Sequence, residues 1–356
     1  MGAMLKQQGK ADEAIACYRK ATEIDPKHIG AYYNMGNTLI AQGKLKQAVD
    51  SYRKAVDINP NFPEAYNNMG VAFKELGKTA ESLDCYRKAL TARPNYAEAY
   101  NNMGNALKGE NKPQEAIDCY KKALEINPKY LEACYNMGNT LSGMGKLDES
   151  IECYRKVLEM NPNHPESYNN MGNAYKNQGK PEQAIECYRK AIAVDPKNAE
   201  AYYNMANTLN EQGKLEDTIR YYRKAVEIRP NYPEAYNNLG AALKMQGKLE
   251  ESVEAYKESL KLSPNYAEAC NNMGLSLYDL GRLDEAAEVC RKAIQIKPDY
   301  AEAYNNLAGV LKDQGKLEDT IECYRKALKL NPNYAEVYNN LGNTVKDMGN
   351  LEEAIE

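Results

Sequence analysis

A strict 34-residue period constrains the fold of this chain more than any other feature of its sequence. Prolines recur at that spacing from residue 26 to residue 332, and no insertion interrupts the register. A fixed period of this length predicts stacked supersecondary units, each of which buries its apolar face only against its neighbours. The length of 356 residues would otherwise favour two or three globular domains. The prolines are Pro26, Pro60, Pro94, Pro128, Pro162, Pro196, Pro230, Pro264, Pro298 and Pro332.

The repeat register divides the chain into units of equal length. We number the positions of a repeat from 1 to 34, with the recurring proline at position 32. The prediction is a single domain, 1–356, with partial repeats at 1–28 and 335–356. The full repeats are 29–62, 63–96, 97–130, 131–164, 165–198, 199–232, 233–266, 267–300 and 301–334.

Each repeat contains two amphipathic helical patterns. In the repeat 97–130, the apolar residues of the first pattern follow the i, i+3, i+4, i+7 spacing of one helical face. They are Tyr100, Met103, Gly104 and Leu107. The second pattern runs from Ala116 to Leu124 and ends before Pro128. A glycine at position 15 separates the two helices in most repeats, and Asn111 replaces it once, as a residue with positive φ permits. The predicted fold class is all-α.

Composition and charge exclude several classes of partner. The chain has 46 Lys and Arg against 50 Asp and Glu, and both signs are spread evenly along it. We therefore expect neither nucleic acid nor a membrane surface as a partner. No apolar run is long enough to span a bilayer, and the first residues lack the apolar core of a secretory signal. The expected location is cytoplasmic or nuclear.

Catalytic chemistry is not expected either. The two histidines, His28 and His164, each follow a repeat proline, where packing in the loop is the expected role. No nucleophile and base can be paired, and no metal-ligand spacing occurs, so we expect no enzymatic activity, metal or cofactor. Six of the nine cysteines occupy position 23, about one helix spacing apart in successive repeats, which is too far for disulfides. They are expected to be small apolar residues in a reducing compartment.

Asparagine is frequent in the first helix of every repeat, although it is a weak helix former. Each asparagine costs a helix roughly 0.5–0.7 kcal/mol relative to alanine, because its side chain competes for backbone hydrogen bonds. Position 5 holds asparagine seven times and tyrosine three times. The invariant asparagines of position 6 are Asn34, Asn68, Asn102, Asn136, Asn170, Asn204, Asn238, Asn272, Asn306 and Asn340. The asparagines of position 9 are Asn37, Asn105, Asn139, Asn173, Asn207 and Asn343.

Helical geometry predicts where these amides point. At about 100° per residue, Asn101, Asn102 and Asn105 lie roughly opposite the apolar face of their helix. An amide side chain can pair with both the N–H and the C=O of a passing peptide bond, whatever its residue. First helices of successive repeats should pack about 8–10 Å apart, and an extended peptide advances about 3.3 Å per residue. We predict that the asparagines at positions 6 and 9 form a ladder that binds extended or disordered polypeptide.

A structural role for the same residues is the alternative. Position-6 asparagine could instead hydrogen-bond the backbone of an adjacent repeat and fix the geometry of stacking. The glutamate that occupies position 2 from Glu64 onward also has two interpretations. A carboxylate in the first turn offsets the helix dipole, and it would equally favour basic ligands.

The repeat pattern resembles the tetratricopeptide repeat over the entire chain. Its signature is Tyr-x2-Met-Gly-x2-Leu, then Ala-x3-Tyr, then proline, at a period of 34. The resemblance implies a right-handed superhelix whose first helices line the inner wall. Within the family, Ala-Tyr-Asn-Asn-Met-Gly-Asn at 99–105 is similar to the protein-binding arm of the O-linked N-acetylglucosamine transferases, whose asparagine ladder holds substrate backbones. Members that clamp a C-terminal carboxylate have Lys or Arg at positions 2 and 6, so that mode is not expected here.

Two functional hypotheses follow from this resemblance and from the residues. In the first, the chain is an interaction scaffold for extended or disordered protein segments. In the second, it is the substrate-recruiting arm of a larger glycosyltransferase whose catalytic domain lies outside this chain. Both ends stop within a helical pattern and lack polar capping helices, so we also expect head-to-tail self-association.

Overall fold

A computed structural model describes residues 2–347, and within that range every regular element is helical. The full-length first helices have 13 residues and the second helices have 14. The first helices are α1 (Gly2–Gln7), α3 (Ile29–Ala41), α5 (Pro63–Glu75), α7 (Ala97–Gly109), α9 (Leu131–Gly143), α11 (Pro165–Asn177), α13 (Ala199–Glu211), α15 (Pro233–Met245), α17 (Ala267–Asp279), α19 (Ala301–Asp313) and α21 (Ala335–Asp347). The second helices are α2 (Ala11–Ile24), α4 (Leu45–Ile58), α6 (Thr79–Ala92), α8 (Pro113–Ile126), α10 (Leu147–Met160), α12 (Pro181–Val194), α14 (Leu215–Ile228), α16 (Leu249–Leu262), α18 (Leu283–Ile296) and α20 (Leu317–Leu330).

The helices fall into two units, Met1–Lys180 with α1–α11 and Pro181–Glu356 with α12–α21. Within each unit, a first helix packs on the second helix of its own repeat, and that second helix packs on the first helix of the next repeat. First helices of successive repeats also touch, as α5 touches α7 and α15 touches α17. The predicted all-α solenoid of helical repeats is confirmed. The single domain and the superhelical shape stay predictions.

The turn between the two helices explains the glycine at position 15. Gly43 has a φ of 69° and Gly247 a φ of 81°, in the left-handed region that only glycine enters without strain. After the turn in the repeat 97–130, the N–H of Lys112 bonds back to the carbonyl of Leu107 at 3.0 Å, which closes the end of the helix. Asn111 has a φ of 59°, so its predicted substitution for glycine at this position is confirmed.

A tyrosine at position 24 fills the centre of most repeats and explains the glycine at position 8. Tyr120 is fully buried, and its ring lies directly against Gly104. A Cβ atom on residue 104 would lie 2.6 Å from Cε1 of Tyr120, and one on Gly36 would lie 2.5 Å from Cε1 of Tyr52. Carbon atoms do not pack that closely, so an alanine at position 8 would require the ring to leave this place. Two repeats do combine an alanine with a buried tyrosine, namely Ala206 with Tyr222 and Ala308 with Tyr324.

Candidate functional site

Position-6 asparagines link neighbouring first helices through their side-chain amides. The Nδ2 of Asn102 donates to Oδ1 of Asn67 at 3.0 Å, and the Nδ2 of Asn136 donates to Oδ1 of Asn101 at 3.1 Å. In the second unit, Asn272 donates to Asn237 at 3.2 Å and Asn306 to Asn271 at 2.9 Å. This is the contact between repeats that the stacking alternative anticipated, except that the acceptors are side chains of position 5 and not backbone groups.

Where position 5 of the preceding repeat is tyrosine, the amide of position 6 is bound more completely. The Nδ2 of Asn68 donates to the hydroxyl of Tyr33 at 3.2 Å and to Oδ1 of Asn37 at 2.9 Å. Its own Oδ1 accepts from Asn67 at 3.2 Å. The same arrangement recurs at Asn170 and Asn238. Both N–H groups and the carbonyl oxygen of these three asparagines therefore have partners inside the repeat stack.

The remaining position-6 amides fall into a second class with spare hydrogen-bonding capacity. The side chains of Asn102, Asn136, Asn272 and Asn306 each donate one hydrogen bond to the preceding repeat and make no other within the described residues. An amide has two N–H donors and one carbonyl acceptor. One N–H and the Oδ1 atom consequently remain available on each of these four half-buried side chains. We call these four residues the open rungs and Asn68, Asn170 and Asn238 the closed rungs.

Five of the seven position-5 asparagines are buried, while Asn305 is half-buried and Asn339 is exposed. The expectation that Asn101 faces away from the core is wrong, because its side chain is fully buried. Its Nδ2 donates to Oε1 of Glu132 at 3.2 Å, and that of Asn67 donates to Oε1 of Glu98 at 3.1 Å. The position-2 glutamates Glu98 and Glu132 therefore accept a hydrogen bond across the repeat boundary, a role that sequence reasoning missed. The two residues of such a pair lie on neighbouring first helices, so the periodicity within one helix cannot predict that they are in contact.

Four position-9 asparagines accept a hydrogen bond from the central tyrosine of their own repeat. The hydroxyl of Tyr52 donates to Oδ1 of Asn37 at 2.6 Å, and that of Tyr120 donates to Oδ1 of Asn105 at 2.8 Å. Tyr154 bonds Asn139 at 2.8 Å and Tyr222 bonds Asn207 in the same way. Burial raises the pKa of Tyr120 to about 12, so the hydroxyl stays protonated and remains a donor at neutral pH. We call this contact the tyrosine–asparagine pair.

Repeats without an asparagine at position 9 lack this pair. Val71 occupies the position in the repeat 63–96, and the buried hydroxyl of Tyr86 has no hydrogen-bond partner there. In the repeat 267–300, Leu275 replaces the asparagine and Cys290 replaces the tyrosine. In the sequence, the pair is indicated only by the presence of both a tyrosine at position 24 and an asparagine at position 9 in the same repeat. That indication is weak, because the repeat of Val71 has the tyrosine without the asparagine.

The other predicted ladder residues are placed along the same helices. Asn34, Asn204 and Asn340 at position 6 and Asn173 at position 9 are all half-buried. Asn34 and Asn340 make no side-chain hydrogen bond within residues 2–347. Asn343 at position 9 is exposed. The two predicted site positions thus differ, since four position-9 amides already serve as acceptors inside their repeat, whereas several position-6 amides retain free groups.

The histidines and cysteines have structural surroundings. Nδ1 of His28 accepts the N–H of Ala31 at 3.1 Å, and Nδ1 of His164 accepts the N–H of Ser167 at 3.2 Å, so both cap a helix N-terminus, beyond the loop packing expected of them. The nine cysteines are free thiols, and burial raises the pKa of Cys85 to about 12.

In the part of the chain that the structure describes, no group of three or more His, Cys, Asp and Glu is placed to hold a metal ion. None of the helices described combines the length and apolarity needed to cross a membrane.

Comparison with known proteins defines the class of this chain. The family model described as the cilia and flagella-associated protein 70 C-terminal domain matches residues 63–272 and 129–348, and the model described as TPR repeat matches residues 2–40 and 36–77. No curated protein sequence matches the chain. The chain belongs to the tetratricopeptide repeat family.

Two solved structures are similar to parts of the chain. YrrB, described as a TPR protein with an unusual peptide-binding site, is 28% identical, with a TM-score of 0.45, over 52% of this chain and 95% of its own. MamA is 27% identical, with a TM-score of 0.44, over 48% of this chain and 94% of its own.

Proposed function

We propose that this chain is a protein-interaction scaffold that binds extended or disordered polypeptide along its first helices. The open rungs support the proposal best, because each offers one N–H and one carbonyl oxygen from the same amide. A main-chain peptide unit offers the complementary pair of groups irrespective of its side chain. Binding of this kind selects an extended backbone and makes little demand on sequence.

The proposed interaction is cumulative. A hydrogen bond between neutral groups contributes about 1 kcal/mol net, so a single rung cannot hold a peptide. Asn102 and Asn136 lie in successive repeats, as do Asn272 and Asn306, so each unit presents two adjacent open rungs. The expected location stays cytoplasmic or nuclear, where the free thiols remain reduced.

The two classes of position-6 asparagine supply a matched test. The first variant replaces the open rungs Asn102, Asn136, Asn272 and Asn306 by alanine. The control variant replaces the closed rungs Asn68, Asn170 and Asn238 by alanine. Both variants lose hydrogen bonds between repeats, so both are expected to lose some thermal stability, but only the first loses free amide groups. Binding of a labelled library of disordered peptides is measured by fluorescence anisotropy.

We expect the open-rung variant to lose at least about tenfold in affinity, since roughly 1 kcal/mol is lost per rung. The closed-rung variant should bind within about threefold of the unchanged protein. Equal losses in the two variants would show that the asparagines act only by fixing the stack. Unchanged peptide binding in both variants would show that the asparagine ladder does not bind the peptide.

We include head-to-tail self-association in the proposal because of an apolar surface on α2. Ile24 is 77% exposed and lines a groove of about 670 Å³ together with Tyr18 and Ala21. A second copy that packs a helix of its last repeat here would bury this surface as repeats do inside each unit. Sedimentation should show concentration-dependent association that Ile24→Lys abolishes. A monomer at every concentration would exclude it.

A further inference from the structure

The second helices α16 and α18 form a groove with a mainly cationic rim. The groove has a volume of about 630 Å³. Its apolar lining consists of Leu260, Met273 and Val289. Its charged lining consists of Lys257, Lys261, Arg291, Lys292 and one acid, Glu288. The rim therefore carries four cations against one anion around an apolar floor.

The sequence explains this excess of positive charge. Position 29 is acidic in five repeats, as at Glu125, Glu159 and Glu227, and a carboxylate there lies near the basic residues of positions 25 and 26. The two helices of this groove instead have Lys261 and Gln295 at position 29. Neither helix of this groove therefore has a carboxylate at position 29, as is also the case for Thr91, Ala193 and Lys329 in three other repeats.

The cations on the two sides of the groove differ in their partners. On α16, Nζ of Lys257 lies 2.7 Å from Oε1 of Glu254, and Nζ of Lys261 lies 3.4 Å from Oε2 of Glu258. On α18, Arg291 and Lys292 form no ion pair with any described residue. These two side chains can therefore receive an incoming carboxylate without first breaking an existing pair.

A second groove provides the contrast. The boundary between α4 and α6 has a groove of about 480 Å³ with an apolar floor that includes Met69 and Phe73. Its charged residues are Arg53, Lys88, Glu81 and Asp84, two of each sign. An apolar floor there comes with no net charge, so a cationic rim does not accompany every boundary between second helices.

We propose that the α16–α18 groove docks an acidic segment of a partner protein that carries an apolar anchor residue. The anchor side chain packs on Leu260, Met273 and Val289, and flanking carboxylates pair with Arg291 and Lys292. Apolar burial supplies most of the affinity, while the charges orient the segment and accelerate its association. The apolar floor favours such a peptide over a nucleic acid, which would present phosphates along the whole groove.

The test uses a fluorescein-labelled peptide of Asp and Glu with two central leucines. The groove variant is Arg291→Glu with Lys292→Glu. The control variant is Arg189→Glu with Lys190→Glu, which changes the net charge equally at the same repeat positions in the same unit. All four side chains project from second helices, and circular dichroism checks that both variants keep their helix content. A peptide with serine in place of leucine and a single-stranded oligonucleotide are the ligand controls.

We expect the groove variant to weaken peptide binding at least about tenfold and the control variant to stay within about twofold. The serine peptide should bind at least about fivefold more weakly than the leucine peptide. If both variants bind the peptide equally weakly, the peptide is attracted by the positive charge of the protein in general and not by this groove. Equal binding of the two peptides, or tighter binding of the oligonucleotide, would overturn the proposed partner. This surface is separate from the asparagine ladder, so either proposal can fail without the other.

Discussion

The repeats 97–130 and 267–300 share a backbone but differ in what fills their centre. Both have a first helix of 13 residues and a second helix of 14. In the first repeat, Tyr120 lies over Gly104 and bonds Asn105. In the second, Cys290 faces Gly274, with Sγ 2.5 Å from the place where a Cβ would lie, and Leu275 takes the asparagine position.

This difference separates what shapes the repeat from what stabilises it. The turn has a positive-φ residue in both repeats, Asn111 in the first and Gly281 in the second, and the helix lengths do not change with the central residue. The tyrosine is therefore not required to set the geometry. It adds buried area and a hydrogen bond to a shape already defined by helix length, turn and close packing.

The largest expected effect distinguishes the two centres directly. Tyr120→Ala removes a fully buried aromatic ring and leaves a cavity, so we expect the free energy of unfolding to fall by about 3–5 kcal/mol. Cys290→Ala removes one sulfur atom, and we expect a loss of about 1 kcal/mol. Guanidinium unfolding followed by circular dichroism measures both. Similar losses at the two sites would mean that the ring is not what stabilises the repeat.

A second comparison concerns glycines on two first helices and predicts effects of opposite sign. Gly104→Ala would place a methyl group against the ring of Tyr120, and we expect a loss of about 1–3 kcal/mol. Gly309 has no atom within 4 Å of the corresponding place. Gly309→Ala should therefore stabilise the protein by about 0.5–1 kcal/mol through helix propensity alone. Thermal melts of the two variants should shift in opposite directions, and a shift of the same sign would contradict the ring-on-glycine packing.

The smallest effect tests the tyrosine–asparagine pair. Tyr120→Phe leaves Oδ1 of Asn105 without its donor and should cost about 1 kcal/mol. Tyr86→Phe removes a buried hydroxyl that has no partner, so we expect stability to be unchanged or to rise slightly. Urea midpoints of the two variants give the difference. If Tyr86→Phe costs as much as Tyr120→Phe, the hydroxyl of Tyr86 has a partner in solution.

Local pattern was sufficient to predict the helices and turns. The apolar spacing around Met103 and the glycine at position 15 each depend on one helix or one turn, and both were correct. The contacts of the amides were predicted only in part. The bonds from Asn102 to Asn67 and from Asn67 to Glu98 join residues 35 and 31 positions apart. Those pairs depend on how two neighbouring helices are offset, which the period of a single helix does not contain.

The two classes of position-6 asparagine show the same limit. Asn102 and Asn68 are identical in residue type and position, yet one keeps free groups and the other does not. The difference comes from the preceding repeat, where Asn67 or Tyr33 occupies position 5. The presence of asparagine at position 6 of every repeat therefore identified these residues as candidates for a common role, but it did not distinguish the open rungs from the closed rungs.

Hydrogen bonds that reach only the adjacent repeat have an evolutionary consequence. If residues 97–130 were excised as a block, Asn136 would face Asn67 where it now faces Asn101, and the bond would form between the same two residue types. Duplication of the block would add a bond of the same kind. A gene encoding such a chain can change its length by whole repeats through unequal recombination while every new junction reproduces one that already folds.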